Sequence, residues 1–223
     1  ALRESSFHSF SMSGVQQTTD NDTPYTRGED GLAVNLYMPS RLHWRERGLQ
    51  LEQATGFPEQ PRSVLRLRLD QPQAFALDLR HPHWLDGPMR VRVNGRPWPL
   101  SSTPASWARI ERRWRDGDTV EVELPMRTRI ENLPDGSDWV AVMHGPLMLA
   151  ARTGTEDLDG LVADSGRGSH IAPGPYQPLD RAPMLVGERD ALAAGIVPVA
   201  GEPLVFSADA LVRPAGSGTL RLE

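Results

Sequence analysis

Apolar and polar residues alternate along much of the middle of the chain. Val64-Leu65-Arg66-Leu67-Arg68-Leu69 and Phe75-Ala76-Leu77-Asp78-Leu79-Arg80 put apolar groups on one face and charged groups on the other. Leu49-Gln50-Leu51-Glu52 and Val120-Glu121-Val122-Glu123-Leu124 do the same, and residues 32–38 alternate around Asn35. Successive side chains of a strand point to opposite faces, so each segment predicts a strand with one buried and one wet side. That is the signature of antiparallel sheets, since the strands of parallel sheets are apolar throughout.

The turns agree. Met89-Arg90-Val91-Arg92-Val93 runs into Asn94-Gly95 and then Arg96-Pro97-Trp98. Asn-Gly accepts positive φ at both central positions of a type I′ turn, which predicts a hairpin. Asp116-Gly117 predicts a second turn, between segments 107–114 and 119–124. Pro134-Asp135-Gly136 predicts a third, ahead of an apolar strand over 139–143. Twenty prolines and 20 glycines punctuate the chain too often for long helices. Strands at a spacing of roughly 8–12 residues point to a sandwich.

The fold expected is therefore all-β: an antiparallel, jelly-roll-like β-sandwich followed by a partial second β module. Residues 1–30, rich in Ser, Thr, Asp and Gln, lack sustained periodicity and read as a partly disordered lead-in. The sandwich is expected over 31–151. A Gly-, Asp- and Pro-rich stretch over 153–183 then opens a region, 152–223, that combines a long loop with the partial second module.

Composition narrows the chemistry. The 223 residues contain no cysteine, which removes disulfides, thiolate zinc sites and a cysteine nucleophile together. All 24 basic residues are arginine, against 29 acidic ones, for a net charge of −5. That balance argues against a general nucleic-acid or anionic-membrane role. No apolar run approaches the roughly 20 residues that span a bilayer. The opening Ala1-Leu2-Arg3-Glu4-Ser5-Ser6 shows no targeting segment and reads as the start of a processed or excised piece.

Candidate sites are few. Glu121 and Glu123, beside Asp116 and Asp118, offer a carboxylate pair of glycosidase type, but a solvated strand face and turn explain them as well. His81-Pro82-His83 has poor metal spacing and reads as a strand-end loop. Ser169-His170 are sequence neighbours, whereas catalytic triads are assembled from distant segments. Asp157, Asp159 and Asp164 supply oxygens for calcium without matching the helix–loop–helix pattern. Ser165-Gly166-Arg167-Gly168 lacks the strand and lysine of a phosphate loop. Among six tryptophans, Trp84 and Trp98 are flanked by turn residues, and exposure there would let their rings stack on sugars. They are the candidate ligand-binding residues; no catalytic residue and no cofactor is assigned.

Several segments carry a family likeness. They are Gly31-Leu32-Ala33-Val34-Asn35-Leu36-Tyr37-Met38-Pro39-Ser40, residues 44–55, Leu79-Arg80-His81-Pro82-His83-Trp84 and Val93-Asn94-Gly95. Trp114-Arg115-Asp116-Gly117-Asp118 through Leu124-Pro125-Met126, and His144-Gly145-Pro146-Leu147-Met148-Leu149-Ala150, continue it. Gly168-Ser169-His170-Ile171-Ala172-Pro173-Gly174-Pro175 and Ala182-Pro183-Met184-Leu185-Val186-Gly187 resemble a module that follows in one branch. In order and spacing these resemble the β-sandwich region of glycoside hydrolase family 127, the β-L-arabinofuranosidase type.

The resemblance implies a catalytic α/α-barrel elsewhere, with zinc held by cysteines and a glutamate beside a cysteine nucleophile. A chain without cysteine inherits none of this. What it implies here is a non-catalytic, ancillary region of a bacterial, periplasmic or extracellular glycoside hydrolase. Its expected partner is the barrel, met through an exposed apolar patch. The alternative is a stand-alone carbohydrate-binding module.

Overall fold

The computed structural model describes residues 3–5, 23–137, 139–151, 184–213 and 221–222. Two compact units divide the chain at Arg127 and Thr128.

The first unit is the sandwich. Its larger sheet runs β1 (Arg3–Ser5), β4 (Ser40–Trp44), β5 (Leu49–Thr55), β6 (Arg62–Leu69), β11 (Thr119–Glu123), β8 (Arg90–Val93) and β9 (Arg96–Trp98), in that order. The smaller runs β10 (Ser106–Trp114), β7 (Gln73–His81), β3 (Gly31–Val34) and β2 (Tyr25–Arg27). Pairing is antiparallel except between β1 and β4 and between β3 and β7.

Alternation sets which side each residue takes. In β6, Ser63, Leu65, Leu67 and Leu69 are buried while Arg62, Arg66 and Arg68 are exposed. In β11, Val120 and Val122 face in and the glutamates face out. The inner faces of both sheets meet in one core, where Leu51, Leu65 and Val122 of the larger sheet join Leu77, Leu79 and Ile110 of the smaller. Each such side chain contributes roughly 1.5–3 kcal/mol by leaving water. Trp114, the last residue of β10, is fully buried, with its indole N–H donated to the Phe75 carbonyl at 3.0 Å. The Asn94-Gly95 hairpin forms as expected, both residues having positive φ, and joins β8 to β9.

Two strands fall inside the expected lead-in. Tyr25 of β2 is buried and exchanges a hydrogen bond of 2.9 Å with Ser40 Oγ. Three-residue strands are too short for a period to show, so 1–30 carried no strand signal.

The second unit is built from small sheets. β12 (Thr128–Asn132), β13 (Val140–His144) and β14 (Leu147–Leu149) form one. Among the described residues these three strands pair with each other. β15 (Met184–Leu185) pairs with β18 (Val212–Arg213), and β16 (Val197–Pro198), β17 (Phe206–Ser207) and β19 (Arg221–Leu222) form the third sheet. A seven-residue helix, α1 (Arg189–Gly195), buries Leu192. Val142, Leu149, Ile196, Phe206, Ala208 and Val212 make this unit's own core. The all-β expectation holds, with α1 the one α-helix among the described residues.

Candidate functional site

The outer faces of the sandwich carry its polar chemistry. On the larger sheet, Glu121 pairs with Arg62 at 3.8 Å, and Glu123 with Arg90 and Arg92 at 3.7 Å each. Arg62, Arg90, Glu121 and Glu123 line an open groove of about 530 Å³ together with Gln60, Pro61 and Pro125. The carboxylates are braced by arginines rather than set as acid and base. Asp116 and Asp118 belong to the neighbouring turn. Asp116 accepts the Leu69 N–H at 3.1 Å, and Asp118 accepts from the Arg115 N–H at 2.9 Å and from Asn94 Nδ2 at 2.8 Å. Their chemistry is consumed in holding β10, β11 and the hairpin together.

A second open groove, of about 590 Å³, lies on the smaller sheet around Arg109. The guanidinium reaches Glu111 at 2.7 Å, Asp78 at 3.3 Å and Asp30 at 3.6 Å. Burial raises the Asp78 carboxyl above its ordinary value, Arg109 opposes the shift, and Glu111 and Asp30 add to it. Three carboxylates about one arginine form a charged strut rather than a cation site. No group of three or more His, Asp or Glu able to hold a metal exists among the described residues.

The zinc centre implied by the family likeness does not fit this chain. It needs thiolates, and there is no cysteine. The two histidines around Pro82 diverge: His81 is buried, with Nδ1 2.8 Å from Ser102 Oγ, while His83 is exposed. Asp157, Asp159 and Asp164, Ser165-Gly166-Arg167-Gly168 and Ser169-His170 lie outside the described residues.

Trp84 and Trp98 are half-buried and pack against the sandwich core. Trp84 stacks on Phe57 with ring centroids 5.5 Å apart and planes 16° from parallel. Trp98 has the Arg112 guanidinium 5.9 Å from its ring centre, and the same guanidinium lies 5.0 Å from Trp114. Their flanking turns suggested exposure, but each ring found an apolar or cationic neighbour first. Neither lines the two grooves.

The open aromatic is elsewhere. Trp139, just before β13, is 67% exposed, as is Met148 of β14, and Leu133 is 44% exposed. Met143 and Met148 are cross-strand partners, and the Leu133 N–H bonds the Trp139 carbonyl at 3.3 Å. By strand parity Trp139 and Met143 share the face turned away from buried Val142, and Met148 joins them. The sequence signal was the apolar run over 139–143; what it lacked was any sign of which face a second layer would cover.

The fold and these surfaces define an antiparallel β-sandwich protein with a charged larger sheet and an apolar stripe on a smaller second unit. Residues 31–126 match the family model described as beta-L-arabinofuranosidase, GH127 middle domain. Residues 129–223 match a second model, a domain of unknown function. No curated protein matches the chain. Solved structures do. One named glycoside hydrolase is 28% identical, with TM-score 0.51, over 56% of this chain and 22% of its own. A GH127 beta-L-arabinofuranosidase from Geobacillus stearothermophilus T6 is 28% identical, with TM-score 0.50, over 56% of this chain and 21% of its own. The chain thus spans about a fifth of the length of these relatives. The likeness to the GH127 β-sandwich region, read from the sequence, is borne out.

Proposed function

We propose that this chain is a non-catalytic, ancillary β-sandwich region of a GH127-type glycoside hydrolase, and that it braces a catalytic α/α-barrel. The observation that carries this reading is the exposure of Leu133, Trp139 and Met148 in and beside one small sheet of a unit with its own separate core. Large apolar side chains left in water side by side mark a partner surface. Aromatic and methionine side chains are those most enriched where protein surfaces meet. Support for the nature of the partner comes from the relatives, which are glycoside hydrolases more than twice as long as this chain.

The test starts from the reading frame that encodes the chain. A barrel encoded in it, produced with and without residues 1–223, should melt several degrees higher when they are present. Trp139→Ser with Met148→Ser should cancel that gain without lowering the sandwich's own Tm. A barrel indifferent to the chain, or a purified chain that hydrolyses an aryl arabinofuranoside unaided, would overturn the reading.

A further inference from the structure

The outward side chains of the larger sheet fall into rows set by its register. Arg62, Glu123 and Arg90 make one row across β6, β11 and β8, and Val64, Glu121 and Arg92 the next. Arg41, Glu52 and Arg66 make a third across β4, β5 and β6, and His43, Gln50 and Arg68 a fourth. Glu4 of β1 is in register with Arg41, so the rows hold six arginines and four glutamates, a surplus of two positive charges on a chain whose net charge is −5. The partial pairing is measured: Arg41 to Glu52 at 3.8 Å, Arg62 to Glu121 at 3.8 Å, and Glu123 shared by Arg90 and Arg92. Arg66 and Arg68 are exposed and have no ion-pair partner among the described residues.

We propose that this face binds a polyanionic glycan through its carboxylates. Neighbouring strands stand about 4.8 Å apart and alternate residues of one strand about 6.6 Å, so the guanidinium groups recur across the sheet at short, regular intervals with glutamates between them. Arginine's planar fork meets a carboxylate with two parallel hydrogen bonds, which a lysine ammonium does not. The choice of a glycan rests on the reading above, that the chain belongs beside a glycan-cleaving enzyme; the choice of an acidic one rests on the arginine rows alone.

Native gels containing polygalacturonate, neutral arabinan or no polysaccharide test it with the full chain. At low salt, polygalacturonate should retard the chain and arabinan should not, and added sodium chloride should weaken the retardation. Arg66→Ser with Arg68→Ser should abolish it while leaving the circular dichroism unchanged. Arg80→Ser with Arg113→Ser, which removes equal charge from the other sheet, should not. Should the serine pair disturb folding, Arg66→Gln alone must still weaken retardation. No retardation at low salt, or equal loss in both variant pairs, overturns the proposal, and equal retention of duplex DNA overturns the glycan assignment. Barrel bracing is read by melting and retardation by mobility, so the two readings fail separately.

Discussion

Gly31 lies against the backbone of Ala76. A Cβ built on Gly31 would overlap the Ala76 carbonyl group, because β3 enters the smaller sheet beside β7 with these two residues in register. The Asp30 carbonyl accepts the Ala76 N–H at 3.1 Å from the same approach. Gly31→Ala should therefore force β3 away from β7 and cost at least about 2 kcal/mol. Urea unfolding would measure it, against Gly95→Ala as reference. Gly95 has open space around it and a φ of +74°, so only backbone strain of about 1 kcal/mol is expected there.

Trp114 ties the two sides of β7 and β10 to the core. Trp114→Phe keeps most of the apolar contact but leaves the Phe75 carbonyl without its 3.0 Å donor. A loss of roughly 1–3 kcal/mol follows from an unsatisfied buried acceptor. Trp114→Ala should cost roughly 3–5 kcal/mol through the cavity as well. Chemical denaturation of both variants checks the order; no loss in Trp114→Phe would mean the hydrogen bond contributes nothing.

Asn94 clamps the hairpin onto the following turn. Its Oδ1 accepts the Thr119 N–H and its Nδ2 donates to Asp118, each at 2.8 Å. Asn94 also has a φ of +52°, which asparagine tolerates better than most residues. Asn94→Ala loses both bonds and the conformational match, and about 1–2 kcal/mol of stability is expected to go with them. Asp118→Asn should cost a similar amount, since its NH2 must face a donor, either Asn94 Nδ2 or the Arg115 N–H and the Arg112 guanidinium. Thermal melts of both variants would test this.

Stability should fall on mild acidification. Burial lowers the imidazole pKa of His81 and of His144 below the ordinary 6.5. Unfolded chains therefore take up protons first as the pH drops through 6.5, so this contribution is complete above that pH and shrinks below it. Asp78 works in the opposite sense. Its raised carboxyl pKa gives stability that is present below 3.8 and lost as the pH climbs through the folded value. Tm should decline from pH 7.5 to pH 5, and His81→Asn should flatten that decline. A decline unchanged in His81→Asn would mean that His81 carries none of it.

Much of the sandwich was legible because its signals are local. Leu65, Leu67 and Leu69 alternate with arginines, Asn94-Gly95 sets a turn from two residues, and both appear as expected. Strands without a period were not legible: β2 has only Tyr25 as a buried anchor, and the helix 189–195 is too short for an amphipathic stripe. Trp84 and Trp98 were judged by their flanks, whereas their burial depends on Phe57 and Arg112, which are distant in sequence. Trp139 shows the reverse limit. An apolar run says that something must cover it, and only the pairing of 128–149 into a separate sheet shows that the described residues leave it open.

The guanidinium rows of the larger sheet have one more consequence. With no lysine in the chain, acylating reagents aimed at side-chain amines would leave those rows untouched.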